Sequence, residues 1–204
     1  MAPTLLQEMV EATRYESLPP NWSSFDLKGF SRQKQLWDYQ QQAVASAVVG
    51  LWKYYEEFAD YQRGESLDVN LERRRRFLEW YQQNDLPKGM NLQVARLGRR
   101  VRQLLDEYYE TADNEVPFES IVNRMCFWMA TGSGKTLVLV KLIEVLRGLI
   151  QAGEIPPNDI LVLTHREDLI EQLKRHIHEF NSSRNDLFIR LRELKEYAEA
   201  KRDN

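Results

Sequence analysis

The rhythm of hydrophobic and polar positions changes three times along this chain of 204 residues. The opening stretch, 1–30, is mixed, and Pro19-Pro20 and Ser23-Ser24 mark turns. Leu5, Leu6, Met9 and Val10 suit a short amphipathic helix. Over 31–49, Leu36, Tyr39, Ala43 and Ala47 recur at helical spacing, with Ser31 as a candidate cap. Residues 50–118 are rich in Tyr, Trp, Arg and Glu and predict helices near 51–62, 69–83 and 92–111. Breaks are expected at Gly64, at Pro87-Lys88-Gly89 and around Asp113-Asn114.

From 119 onward apolar runs alternate with amphipathic ones. Met125-Cys126-Phe127-Trp128-Met129 reads as a strand buried on both faces. A glycine turn follows, then a helix over 135–151 ended by Gly153 and Pro156-Pro157. Ile160-Leu161-Val162-Leu163-Thr164 reads as a second buried strand and 167–180 as a second helix, broken by Asn181-Ser182-Ser183. Leu187-Phe188-Ile189 suggests the start of a third strand, and the charged tail from Arg192 is expected to be helical. Strand–helix–strand–helix with short links predicts an α/β fold with a parallel sheet and right-handed crossovers. The expected divisions are an N-terminal segment 1–49, a helical insertion 50–118 and a nucleotide-binding region 119–204.

Composition narrows this only a little. Hydrophobic residues at 43% are enough to bury a core, so the chain is not disordered as a whole. A net charge of −3 means that any nucleic-acid contact must be a local patch. The single cysteine, Cys126, excludes an internal disulfide framework and fits a reducing compartment. The first eight residues lack a basic region followed by an apolar run, so they do not read as a signal peptide. Lys141, Glu144 and Arg147 interrupt the most apolar helix, which makes it a core helix and not a membrane span. The expected location is the cytoplasm.

The chemistry concentrates in Ala130-Thr131-Gly132-Ser133-Gly134-Lys135-Thr136. Gly132 and Gly134 lack a Cβ, so the backbone can turn tightly and aim several N–H groups inward. Those groups, with Thr131 and Ser133, form a phosphate cradle at a helix N-terminus, where the helix dipole also favours negative charge. Lys135 can reach the β- and γ-phosphates of ATP, and the Thr136 hydroxyl is placed to ligate Mg²⁺. The expected context holds in the sequence: an apolar run precedes the loop and a helix follows it. The full consensus asks for a glycine where Met129 stands.

Met129-Ala130-Thr131-Gly132-Ser133-Gly134-Lys135-Thr136 resembles motif I of superfamily 2 helicases and translocases, in which that first glycine is often replaced. The likeness is strongest to the DEAD/DEAH-type motor of restriction-enzyme subunits, type III Res and type I. Leu36-Trp37-Asp38-Tyr39-Gln40-Gln41-Gln42-Ala43 is similar to the segment upstream of motif I in that family. Gln40 matches its adenine-contacting glutamine, whose amide pairs with the N6 and N7 edge. Thr164-His165-Arg166-Glu167-Asp168-Leu169 resembles motif Ia, where Thr164 and Arg166 are expected to hold nucleic-acid phosphate. The resemblance implies a partial RecA-like P-loop NTPase domain, a parallel sheet with flanking helices, beside a largely helical N-terminal and inserted region. It implies ATP and Mg²⁺ as cofactors, with Lys135 and Thr136 in the hydrolytic role. Its implied partners are nucleic acid, DNA first, and a methyltransferase or specificity subunit, with no membrane.

Two departures bear on this expectation. The region between Gln40 and Lys135 is longer than in compact family members, so 50–118 reads as an insertion. Within it Arg73-Arg74-Arg75-Arg76 and Arg99-Arg100-Val101-Arg102 are expected to be solvated, ion-paired faces, because Glu and Asp lie close by in sequence. Trp80 and Tyr81 are expected in contacts between helices. Second, a motor needs an acidic pair on a later strand and an arginine for the transition state. No apolar run after Thr136 ends in Asp-Glu, and Asp106-Glu107 lies upstream in a helical pattern. The expectation is therefore the N-terminal part of a longer motor, binding nucleotide without turning it over alone. The rival readings are a P-loop kinase or small NTPase, and a nucleotide-binding or partner-docking module.

Overall fold

The computed structural model describes residues 5–84, 90–109, 111, 113–164, 166–184 and 188–194. Its frame is three helices: α3 (Asp38–Lys53), α6 (Lys135–Ala152) and α7 (Glu167–Asn181). Before them come α1 (Leu5–Glu11) and α2 (Pro20–Ser23); between α3 and α6 lie α4 (Leu67–Gln83) and α5 (Arg99–Tyr108). Helix α6 is the spine, packed between α3 and α7. Val138, Val140, Ile143, Val145 and Leu149 of α6 are buried, as are Val44, Val48 and Val49 of α3 and Leu173, Ile177 and Phe180 of α7. The i, i+3, i+4 and i+7 spacings of these residues give each helix a continuous apolar stripe. Trp22, Phe30 and Leu36 from the N-terminal segment fill the remaining side of the same core.

The predicted helix over 31–49 begins later, at Asp38. Residues 28–36 fold back on themselves instead: Leu36 N–H donates to the Lys28 carbonyl (2.8 Å) and Phe30 N–H to the Lys34 carbonyl (3.2 Å). Ser31 does not cap a helix; its hydroxyl donates to Glu179 (2.9 Å), tying this turn to α7. Helix α3 runs on through a π-helical turn, Tyr54–Phe58. Helices α6 and α7 match their predicted spans to within a residue, and Gly153 closes α6 in the left-handed region with φ 72°. The α6 carbonyls freed at that end are capped from the insertion. Arg63 Nε donates to Ala152 O (2.9 Å), and Gly64 N–H donates to Gly153 O (2.9 Å).

The parallel sheet does not form among the described residues. The single sheet there is a short antiparallel pair, β1 (Leu92–Gln93) with β2 (Glu115–Val116), inside the insertion. Its presence shortens the expected helix over 92–111 to α5. The two runs expected as buried strands, 125–129 and 160–164, are not strands and share no backbone hydrogen bond. Trp128 is 97% exposed, and Leu161 and Leu163 also face outward. A doubly buried strand needs a hydrogen-bonded neighbour on each edge, and neither run finds one among these residues. The third expected strand fails for a local reason at Phe188-Ile189; Leu187 lies outside the described residues. The Asn181 amide takes both ladder groups of Ile189: Ile189 N–H donates to Oδ1 and Nδ2 donates to the Ile189 carbonyl, each at 2.9 Å. The break at 87–89 and the tail from 195 likewise lie outside the described residues.

One charged residue is buried among the described residues. Lys141 is 1% exposed and donates to the Gly29 carbonyl and pairs with Glu144, both at 2.6 Å. Burial pulls its ammonium below the usual lysine range, and Glu144 opposes that pull. The lysine that interrupts the apolar pattern of α6 thus anchors the N-terminal turn to the spine. No helix among the described residues is long and apolar enough to cross a membrane.

Candidate functional site

Two glycines shape the loop before α6. Gly132 and Gly134 have φ of 79° and 78°, a region that L side chains adopt only at a cost. Gly134 is also the residue immediately before α6, so the turn delivers the chain straight into the helix. Space differs at the two positions. A Cβ on Gly132 would meet nothing within 4 Å, whereas one on Gly134 would lie 2.5 Å from Gln40 Nε2.

That contact reveals how the loop is held. Gln40 Nε2 donates to the Ser133 carbonyl (2.8 Å), and the Tyr39 hydroxyl donates to the same oxygen (2.9 Å). Gln40 Oε1 accepts from Trp37 N–H (2.8 Å), at the start of α3. The sequence-predicted Gln40 is therefore brought to the loop, but its amide is 2% exposed and turned against the loop's backbone. The predicted adenine-reading edge does not face open space in this arrangement. Tyr39, one of the residues recurring at helical spacing, is 51% exposed and forms the second clamp. Its signal in the sequence was adjacency to Gln40 on the first turn of α3.

The leading N–H groups of α6, those of Lys135 and Thr136, have no acceptor within the helix. The first turn carries no acidic side chain to compete for them. Lys135 Nζ donates to the Met129 and Ala130 carbonyls, each at 2.7 Å, so the ammonium folds back over its own loop. It keeps one donor for an incoming anion. Ser133 Oγ is buried and makes no hydrogen bond among the described residues. Thr136 is half-buried in the first turn, and Thr131 is exposed at the rim. Tyr39, Gln42, Ser46, Trp128, Thr131 and Ser133 line a cavity of about 680 Å³, a size suited to a nucleotide.

These residues fit ATP with Mg²⁺: a positive-φ turn, unshared helix N–H groups, a lysine and a hydroxyl, beside an open cavity. The other expected pair sits apart. Thr164 Oγ1 accepts from Arg166 N–H (3.3 Å), and neither side chain has a bond to the loop. Arg166 grips Asp168 with two donors, Nε to Oδ1 at 3.0 Å and the second to Oδ2 at 2.5 Å. The Arg166 guanidinium holds the Asp168 carboxyl below its usual range. Asp168 takes Nε and Nη2, so Nη1 is the guanidinium nitrogen left to meet a phosphate. His165 lies outside the described residues.

A family model described as type III restriction enzyme, res subunit, matches residues 33–204. Comparison with curated proteins and with solved structures gives no match. The matched span holds the helix-start glutamine, the glycine loop and the whole three-helix frame. The chain belongs to the type III restriction enzyme res subunit family, which carries a helicase-like, ATP-binding motor domain of RecA-like P-loop type.

Proposed function

We propose that residues 130–136 bind ATP with Mg²⁺ as part of a DNA-dependent ATPase, the motor of a restriction-modification system. The observation that carries this reading is the glycine turn entering α6, with the Ser133 carbonyl held by both Tyr39 and Gln40. Binding begins with exchange. An incoming triphosphate draws Lys135 off the Met129 and Ala130 carbonyls, and the N–H groups at the head of α6 take the phosphate oxygens. Thr136 is the residue proposed to ligate Mg²⁺, which when bound neutralises phosphate charge. Gln40 and Tyr39 keep the loop in shape; Gln40 is proposed to act on nucleotide through that loop.

Thr164 and Arg166 are proposed as nucleic-acid contacts, with Arg166 Nη1 as the donor that Asp168 leaves free. Residues 119–204 are proposed as the ATP-binding region, 50–118 as a helical insertion, and the cytoplasm as the location. A methyltransferase or specificity subunit is the proposed partner.

A fluorescent ATP analogue titrated with Mg²⁺, then competed with ATP or GTP, tests the reading. Saturable binding displaced by ATP is expected, with an affinity that changes when duplex DNA is added. An analogue that no triphosphate displaces removes the P-loop assignment. Identical isotherms with and without DNA count against the DNA-dependent motor.

A further inference from the structure

The insertion holds two runs of arginine, and the structure treats them differently. In the first run every guanidinium has a partner. Arg73 bonds Glu65 (3.1 Å), Arg75 bonds Glu72 (2.8 Å) and Glu79 (2.6 Å), and Arg76 bonds Glu72 (3.0 Å). Arg74 lies over the Tyr54 ring, 5.5 Å from its centre. The expectation of ion-paired faces holds for Arg73, Arg75 and Arg76, whereas Arg74 has only the ring contact and its buried Nε makes no hydrogen bond among the described residues. It fails in the second run: Arg99, Arg100 and Arg102 are exposed and make no hydrogen bond or ion pair among the described residues.

The setting of those three side chains favours an anionic ligand. They occupy the first, second and fourth positions of α5, whose first turn carries no acid and whose preceding residue, Gly98, has no side chain to cap it. The two acids of α5, Asp106 and Glu107, fall toward its other end, and Asp106 accepts from the Thr111 hydroxyl (3.1 Å). Charge along α5 therefore has the same sign as the helix dipole at each end, an arrangement that an external anion relieves. Arg99 and Arg102 also line a concavity of about 360 Å³ with Gln103, Asp106, Thr111 and Asn114.

The spacing favours a polyanion over a single small anion. Successive residues turn by roughly 100° and rise about 1.5 Å, so the three guanidiniums fan outward instead of converging. A nucleic-acid strand presents a charge about every 3.4 Å, enough to serve all three. We propose that Arg99, Arg100 and Arg102 form a second nucleic-acid contact, gripping the phosphate backbone without reading sequence, away from the P-loop. The proposal rests on the reading that this domain works on nucleic acid.

Anisotropy of a labelled DNA duplex of about 20 base pairs, titrated at salt from about 50 to 200 mM, tests it. The Arg99→Ala/Arg100→Ala/Arg102→Ala variant should bind about tenfold or more weakly, and its slope of log K against log salt should fall by about two to three. Arg99→Lys/Arg100→Lys/Arg102→Lys should keep most of the affinity, since backbone contacts need charge more than shape. Arg75→Ala/Arg76→Ala removes paired arginines and should change neither quantity. A triple alanine variant that keeps wild-type affinity and slope overturns this proposal alone. A wild-type chain with no salt-dependent binding overturns both this proposal and the nucleic-acid reading.

Discussion

Helices α6 and α5 start alike and end in different surroundings. Each follows a glycine and neither has an acidic residue in its first turn. Helix α6 is then gripped along its length: Val138, Val140, Ile143, Val145 and Leu149 are buried, and Tyr39 and Gln40 hold the turn that starts it. Helix α5 buries no residue at all, and Val101, Leu104 and Tyr108 form an exposed stripe. In the reading proposed above, the same local device, a helix N-terminus free of acids, serves two ends: on a buried spine a fixed site for one ligand of defined shape, and on a peripheral helix a patch for an extended partner. Rigidity comes from packing around the helix and not from the helix itself.

Breaking that contrast should produce its largest effect in the core. Leu149→Ala opens a cavity between α6 and its neighbours and should cost about 2–5 kcal/mol. Leu104→Ala on α5 should stay within about 0.5 kcal/mol. Thermal melts of the two variants compare the helices directly, and equal losses would erase the distinction drawn between them.

The glycine turn offers a finer cut. Gly132→Ala and Gly134→Ala both force alanine into the left-handed region, at roughly 1–2 kcal/mol each. Only the second drives a methyl group into Gln40. Nucleotide affinity should therefore fall further in Gly134→Ala, and a larger loss in Gly132→Ala would mean that Gln40 does not hold the loop. Gln40→Ala removes the acceptor of the Trp37 N–H and one of two donors to Ser133 O, at about 1–3 kcal/mol. Tyr39→Phe removes the other, more exposed donor and should cost about 0.5–1.5 kcal/mol. Because both serve one carbonyl, the double variant should lose more than the sum. Additive losses would show that the two side chains act independently.

The smallest effect concerns the junction of α7 with the N-terminal turn. Burial lowers the His176 pKa, Lys34 adds to that, and Glu179, 3.6 Å away, opposes it. Its folded pKa lies below its unfolded value of about 6.5, so the unfolded chain takes up protons first on acidification. Stability contributed here is complete above about pH 6.5 and is lost as the pH falls below it. Melting temperature should decline modestly between about pH 7 and 5.5, and His176→Gln should flatten that part of the curve. An unchanged slope would remove His176 as its source.

Much of the α6 region was legible because its signals are local. The positive-φ glycines, the lysine, the helix span over 135–152 and Gly153 as its stop are all written within a few residues of one another. Gln40 was found from its neighbours, but its orientation was not, because the carbonyl it holds is 93 positions away. The bond of Tyr39 to the same carbonyl was hidden for the same reason. The sheet was expected from apolar runs whose burial depends on strand partners, and periodicity cannot say whether those partners are present. The third strand was lost to a single side chain, Asn181, which satisfies Ile189 in place of a ladder. Arg73–Arg76 and Arg99–Arg102 look equivalent as text, and only the positions of Glu65, Glu72 and Glu79 separate them. Tyr81 lies against Phe58 and Phe118 as expected, while neighbouring Trp80 is largely exposed.

The central claim is that the turn at the head of α6 binds ATP through Lys135. Titration of a fluorescent ATP analogue in Mg²⁺ onto wild-type and Lys135→Ala protein, each verified folded by its melting curve, addresses it most directly. Saturable wild-type binding that is lost in Lys135→Ala is the result this account predicts. Equal affinity in the two folded proteins would contradict it.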